Sequence, residues 1–208
     1  MKNILICIAM LIMAKPLFAQ EEIALPNPEK TVGKSLMVCL SERKSAREFS
    51  SKEISLQEIS NILWAANGIN REEEGKHTAP TANNRQNMEL YVILPAGAYF
   101  YMEKEHKLKL VNPGNHMKSA GRQDFVEKAA MNIVIVSDMS KLADSSDENK
   151  LLYAGIHTGA IMQNIYLYCA SAELNTVARR YFDEELVSEV LKLSPDKKPV
   201  LAQTIGYK

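Results

Sequence analysis

Leu151-Leu152-Tyr153-Ala154-Gly155-Ile156-His157-Thr158-Gly159-Ala160-Ile161-Met162-Gln163-Asn164-Ile165-Tyr166-Leu167-Tyr168-Cys169-Ala170-Ser171-Ala172 contains no Asp, Glu, Lys or Arg. A helix that is apolar on every side has to be buried on every side. The stretch therefore predicts a central core helix, with the small residues Gly155 and Gly159 allowing another helix to approach closely. As a membrane span it would place His157, Gln163 and Asn164 near mid-bilayer, at a cost for each. His157 reads instead as a hydrogen-bonded core histidine.

Strand and helix signals outward from this helix are mixed without strict alternation. Downstream, Asp183 is placed to cap an amphipathic helix carrying Leu186, Val187, Val190 and Leu191, and Val200 to Tyr207 returns as a strand. Upstream, Met131 to Ser137 (MNIVIVS) is a β-branched run suited to a central strand. Asn115 to Ala129 reads as a helix. Met88 to Leu94 and Tyr99 to Met102 flank a turn at Pro95 to Ala98 as hairpin partners, and Lys107 to Val111 supplies a further strand. Ser55 and Glu58 form a capping box ahead of Ile59, Ile62, Leu63 and Ala66, and Asn67-Gly68 closes that helix. Val32 to Leu40 predicts a short apolar helix, Arg71 to His77 a charged loop, and residues 20–30 a polar lead-in. The mixture is α+β: a mostly antiparallel sheet flanked by helices.

The chain has 208 residues, 25 basic and 25 acidic. Fifteen of the first 19 are apolar and only Lys2 and Lys15 are charged. A basic start, a short apolar run from Ile4 to Ala14 and a closing Leu17-Phe18-Ala19 read as an export signal. The expectation is a signal peptide over 1–19 and one domain over 20–208, exported to the periplasm without stable membrane insertion. The near-neutral charge balance argues against a nucleic-acid binder, which needs a basic face. Cys39 and Cys169 read as buried free thiols. The four histidines are scattered without metal-ligand spacing. No phosphate-loop, G-x-G-x-x-G, G-x-S-x-G or H-E-x-x-H motif is present. Any chemistry would then come from a cofactor.

Two polar segments point to one. Arg43-Lys44-Ser45-Ala46-Arg47-Glu48-Phe49 places three cations and a hydroxyl within five positions. Arginine offers a bidentate fork to phosphate, lysine a point charge, and serine a donor. Pro80-Thr81-Ala82-Asn83-Asn84-Arg85-Gln86 sets hydroxyl and carboxamide groups at a strand entry. Each segment alone is a solvated basic corner or a polar loop. In this order and spacing, R-x-S-x-R-x-F followed by Pro-Thr-x-x-Asn-x-Gln resembles the nitroreductase family of flavin enzymes. The likeness extends over residues 36–207, and Tyr91 to Asp138 is most similar to the branch related to thiazoline and oxazoline dehydrogenases.

The resemblance implies a dimeric nitroreductase-like fold with FMN at the interface of a homodimer. It places Arg43 and Ser45 at the phosphate and ribityl chain, with Lys44 between them, and Arg47 beside the pyrimidine edge of the flavin. Pro80, Thr81, Ala82 and Asn84 would approach from the second subunit, and Gln123 would contact ring or ribityl. The backbone of Val177 to Arg180, with Ala178 and Arg179, would face the ring near N5. Two positions depart from the family pattern. Arg180-Tyr181 stands where a Glu-Gly pair is common, and Lys208 alone stands where a basic pair follows the closing strand, with Arg179 a further candidate for the phosphate. The implied activity is hydride transfer from NAD(P)H to a nitroaromatic, quinone or similar small-molecule acceptor. The alternatives are an exported dehydrogenase oxidising an organic or heterocyclic substrate, and a non-catalytic flavin-binding dimer.

Overall fold

A computed structural model describes residues 21–208, so the segment read as an export signal lies outside the described residues. In chain order the elements are β1 (Glu22–Ala24), α1 (Leu36–Glu42), α2 (Leu56–Asn67), β2 (Ile69–Arg71), β3 (Lys76–His77), β4 (Met88–Leu94), β5 (Gly97–Met102), β6 (Lys107–Pro113), β7 (Met131–Asp138), α3 (Asp147–Ser171), β8 (Asn175–Arg179), α4 (Glu184–Val190) and β9 (Lys197–Gly206). Seven strands form one sheet in the order β1-β6-β5-β4-β7-β9-β8, with every neighbouring pair antiparallel. The class is α+β, as expected.

The alternation of side chains along a strand divides the core between the two faces of this sheet. Leu90, Val92, Ile133 and Ile135 point to one face, where they meet Ile59, Ile62 and Leu63 of α2 and Ile161, Ile165 and Cys169 of α3. Tyr91, Ile93, Val134 and Val136 point to the other, against Met117, Ala120, Val126 and α4 residues Val187 and Val190. Being covered on both faces, β7 is buried from Met131 through Ser137. Each such Val, Leu or Ile contributes about 1.5–3 kcal/mol through burial. The predicted caps are present. Ser55 Oγ accepts from the Glu58 amide at 3.1 Å, and Asp183 Oδ1 accepts from the Leu186 amide at 3.2 Å. Cys39 and Cys169 are buried and free.

Several expectations are corrected. Asn115 to Ala129 is not a helix: only Met117–Ala120 makes a short 3-10 turn. Its backbone groups are taken by side chains, two of them from elsewhere in the chain and one, Asn115, from within it. Arg179 donates to the Ala120 carbonyl at 2.9 Å, Asn132 Nδ2 to the Val126 carbonyl at 3.0 Å, and the Met117 amide bonds to Asn115 Oδ1. Gly121 is kept small by crowding, since a Cβ there would stand 2.6 Å from Arg179 Nε. The lead-in at 20–30 carries β1 with Ile23 buried, and the charged loop at 71–77 folds as the β2–β3 hairpin.

The uncharged helix is the largest correction. It starts at Asp147, capped by Ser146, and buries one face through Ala154, His157, Thr158, Ile161, Ile165, Tyr166 and Cys169. The opposite face is open in the single chain, where Leu152 is 57% and Ile156 is 56% exposed. Gly155 and Gly159 have nothing within 4 Å of an added Cβ, so no other helix among the described residues approaches them. On α1, which contacts α3, Met37 is 74% exposed and Leu36 and Leu40 are also open. Among the described residues no helix is long and apolar enough to cross a membrane.

Candidate functional site

Helix α1 ends at Glu42 with Arg43 as its C-cap, and the rest of the cationic segment has no regular structure of its own. It is held against the outer edge of β8 and the end of β9. The Ala46 amide donates to the Thr176 carbonyl at 2.9 Å, Asn175 Nδ2 to the Glu48 carbonyl at 2.7 Å, and the Ser50 amide to the Tyr207 carbonyl at 3.0 Å. An edge strand has free donors and acceptors, and here they fix the cations in place.

Tyr166, near the C-terminal end of α3, joins three of the predicted cofactor residues. Its hydroxyl accepts from the Ala178 amide at 2.9 Å and shares a 2.8 Å hydrogen bond with Ser45 Oγ. The Arg43 guanidinium lies over its ring, 5.1 Å from the centroid. Nothing in the local pattern singled this residue out. The available signal was a phenol in an uncharged helix, whose hydroxyl needs a partner when buried.

A cavity opens at each end of the segment. One, of about 400 Å³, is lined by Lys44, Tyr166, Asn175, Thr176 and Lys208. Glu42 and Glu173 also reach it, but both pair with Lys34, at 2.8 Å and 3.2 Å. Arg43, Lys44, Arg47 and Lys208 form no ion pair among the described residues. The second cavity, of about 680 Å³, is lined by Arg47, Phe49, Arg122, Gln123, Phe125 and Lys128. Gln123 Oε1 is buried there without a hydrogen-bond partner among the described residues. A buried carbonyl oxygen left this way is costly unless something donates to it.

Arg179 faces away from the lysines. Its guanidinium is buried beneath the Phe125 ring and donates to the Ala120 carbonyl and to Asn132 Oδ1. Burial without a carboxylate pushes its pKa down to about 10. Arg180 is at the surface, paired with Glu184 at 3.0 Å.

Pro80, Thr81 and Asn84 line a separate cavity with Arg71, Lys76 and His77, so one chain does not bring them to the cationic segment. Their loop is tightly specified. Asn83, Asn84 and Gln86 have φ of 51°, 54° and 48°, left-handed values that side chains disfavour. Thr81 Oγ1 accepts from the Gln86 amide at 3.0 Å, and His157 Nε2 accepts from the Ala82 amide at 2.8 Å. His157 is thus the hydrogen-bonded core histidine expected, and its partner is this loop.

Comparison with known proteins fits this geometry. The model of the nitroreductase family matches residues 40–207. The chain belongs to the nitroreductase family. A nitroreductase-named protein of Methanocaldococcus jannaschii is 27% identical over 197 residues, covering 90% of this chain and 96% of its own. A crystal structure of a nitroreductase-named protein from Ralstonia eutropha is 36% identical with a TM-score of 0.86, covering 91% of this chain and 90% of that one. The Escherichia coli microcin synthetase complex contains a chain of the same fold, with a TM-score of 0.68 at 15% identity, covering 99% of this chain and 85% of that one. Nitroreductases are oxidoreductases, and residues 43–49, between the two cavities, lie within the matched span.

Proposed function

We propose that this nitroreductase binds FMN as a homodimer and transfers hydride from NAD(P)H to a nitroaromatic, quinone or similar acceptor. The observation that carries the reading is the row of unpaired cations fixed along the β8 edge with a cavity at each end. Lys44 and Lys208 open into one cavity, and Arg47 into the other with the orphaned Gln123 oxygen. The groups fit FMN. Arg43, Lys44, Ser45 and Lys208 suit its phosphate and ribityl chain. Gln123, the Ala178–Arg180 backbone and Arg47 suit its ring. When bound, FMN supplies the hydride carrier. Arg47 is then placed to stabilise negative charge at the pyrimidine edge, where a fixed guanidinium costs no reorganisation.

The homodimer accounts for the open apolar faces. Leu152, Ile156 and the glycines of α3, together with Leu36 and Met37 of α1, would be covered by a second copy. The same association would bring Pro80, Thr81, Ala82 and Asn84 of one subunit to the flavin of the other. A second reading is favoured by the signal-like segment 1–19. An exported flavoenzyme would meet little NAD(P)H and would instead oxidise an organic donor, as in the dehydrogenase-related branch. Anaerobic mixing with NADH or NADPH separates the two. Bleaching of the flavin band supports the first, and bleaching only by an organic donor supports the second. A flavin-loaded protein reduced by neither would overturn catalysis.

A further inference from the structure

The loop from Pro80 to Gln86 is strained, and the His157 imidazole takes its Ala82 amide. Three of its residues occupy left-handed backbone conformations within four positions, none of them glycine. Such conformations persist only where surrounding contacts over-determine them, and they concentrate at functional sites. The Ala82 amide can only donate, so His157 Nε2 must be its unprotonated acceptor. His157 Nδ1 lies 2.7 Å from Asn87 Oδ1. With Nε2 accepting, the neutral ring must donate from Nδ1, so Asn87 turns its Oδ1 to the ring and its Nδ2 to Ser137 Oγ, at 2.8 Å on buried β7. The proton therefore sits on Nδ1, and a line of hydrogen bonds runs from β7 through Asn87 and His157 to the loop backbone.

We propose that His157 is a positioning residue for the 80–84 loop, holding it through Ala82 only as the neutral, Nδ1-protonated imidazole. The assignment of that loop to the partner's flavin site rests on the reading above, whereas the hold itself does not. A second proton at Nε2 would set two donors against each other and release the loop. The surroundings oppose that proton. Burial and the charge of Arg85 both lower the His157 pKa. Tyr153 stacks at 6.0 Å between ring centroids, Asp144 is paired with Arg85, and Lys141 donates to the Gln86 carbonyl.

The test compares wild type, His157→Gln and His157→Leu as full-length mature protein. It reads amide-exchange protection at Ala82 and FMN affinity by titration. Glutamine presents an uncharged oxygen near the Nε2 position, and leucine presents none. At about pH 8, His157→Leu should lose roughly tenfold or more of the Ala82 protection while the Ile161 amide within α3 is unchanged, and His157→Gln should keep it. As pH falls from about 8 through the depressed His157 pKa, which lies below 6.5, wild-type protection should fall while that of His157→Gln stays level. Wild-type protection in His157→Leu, or identical pH profiles for wild type and His157→Gln, would overturn the proposal. Loss of Ala82 protection with FMN affinity unchanged in both variants would uphold the hold on the loop and remove the loop from the flavin site.

Discussion

Replacing Arg179 by methionine tests whether a buried charge is maintained at a cost to the fold. The guanidinium is 8% exposed and has no carboxylate partner among the described residues; burial lowers its pKa from 12.5 to about 10. At 1.36 kcal/mol per pH unit, that shift corresponds to about 3 kcal/mol against the charged form. Against this stand its hydrogen bonds to the Ala120 carbonyl and Asn132 Oδ1, at 2.9 Å and 3.0 Å. Hydrogen bonds to charged groups contribute about 1.5–3 kcal/mol each. Asn132 Oδ1 keeps its bond from Thr204 in the variant, and methionine packs on Phe125 in place of the guanidinium. The opposing contributions nearly cancel, so Arg179→Met should unfold within about 1 kcal/mol of wild type, with Tm within roughly 4 °C. The folded value lies below the unfolded one. The charge penalty is therefore complete below about pH 10 and relieved above it, and any advantage of the variant should shrink there. Guanidinium denaturation followed by circular dichroism measures both effects. A loss of more than about 3 kcal/mol at neutral pH would show that the guanidinium stabilises the fold, and would refute the reasoning.

Tyr166→Phe leaves the ring under Arg43 but removes the hydroxyl that joins Ser45 to the Ala178 amide. It should cost about 1–2 kcal/mol of stability and a comparable factor in FMN affinity, roughly fivefold to thirtyfold by flavin titration. Ile156→Glu, on the open face of α3, should give folded monomers by light scattering and lower the Tm, because a charge cannot be buried between two copies of that face. His106 is held neutral by burial, bonded to Ser60 and Tyr101. Its folded pKa is depressed, so the stability it contributes is present above about pH 6.5 and lost as pH falls through the folded value. Denaturant titrations between about pH 7 and about pH 5 should show a smaller acid loss in His106→Gln than in wild type.

The strands that alternate or run β-branched were legible: β4, β5, β6, β7 and β9 lie where periodicity places them. The two short edge strands were not. β1 has three residues and depends on β6, some 85 positions away, while β8 has five and depends on β9. Asn115 to Ala129 has a helix-compatible composition, but side chains of Arg179 and Asn132 claim its carbonyls, a tertiary effect that no local window contains. The uncharged run correctly marked a helix with buried polar residues. Composition marks the run as apolar but does not say which of its faces the same chain covers, and Leu152 and Ile156 stay open in it. At the site, the cations of residues 43–47 were visible because charge and spacing are local. Tyr166 was not, because its role comes from Ser45 and Ala178 meeting at one hydroxyl.

The central claim is that the cations along the β8 edge hold FMN. Protein purified from its own cells without added flavin should absorb near 450 nm and release, on denaturation, a compound with the mass of FMN at about one per chain. Colourless protein that fails to bind FMN when titrated at micromolar concentration would contradict the account.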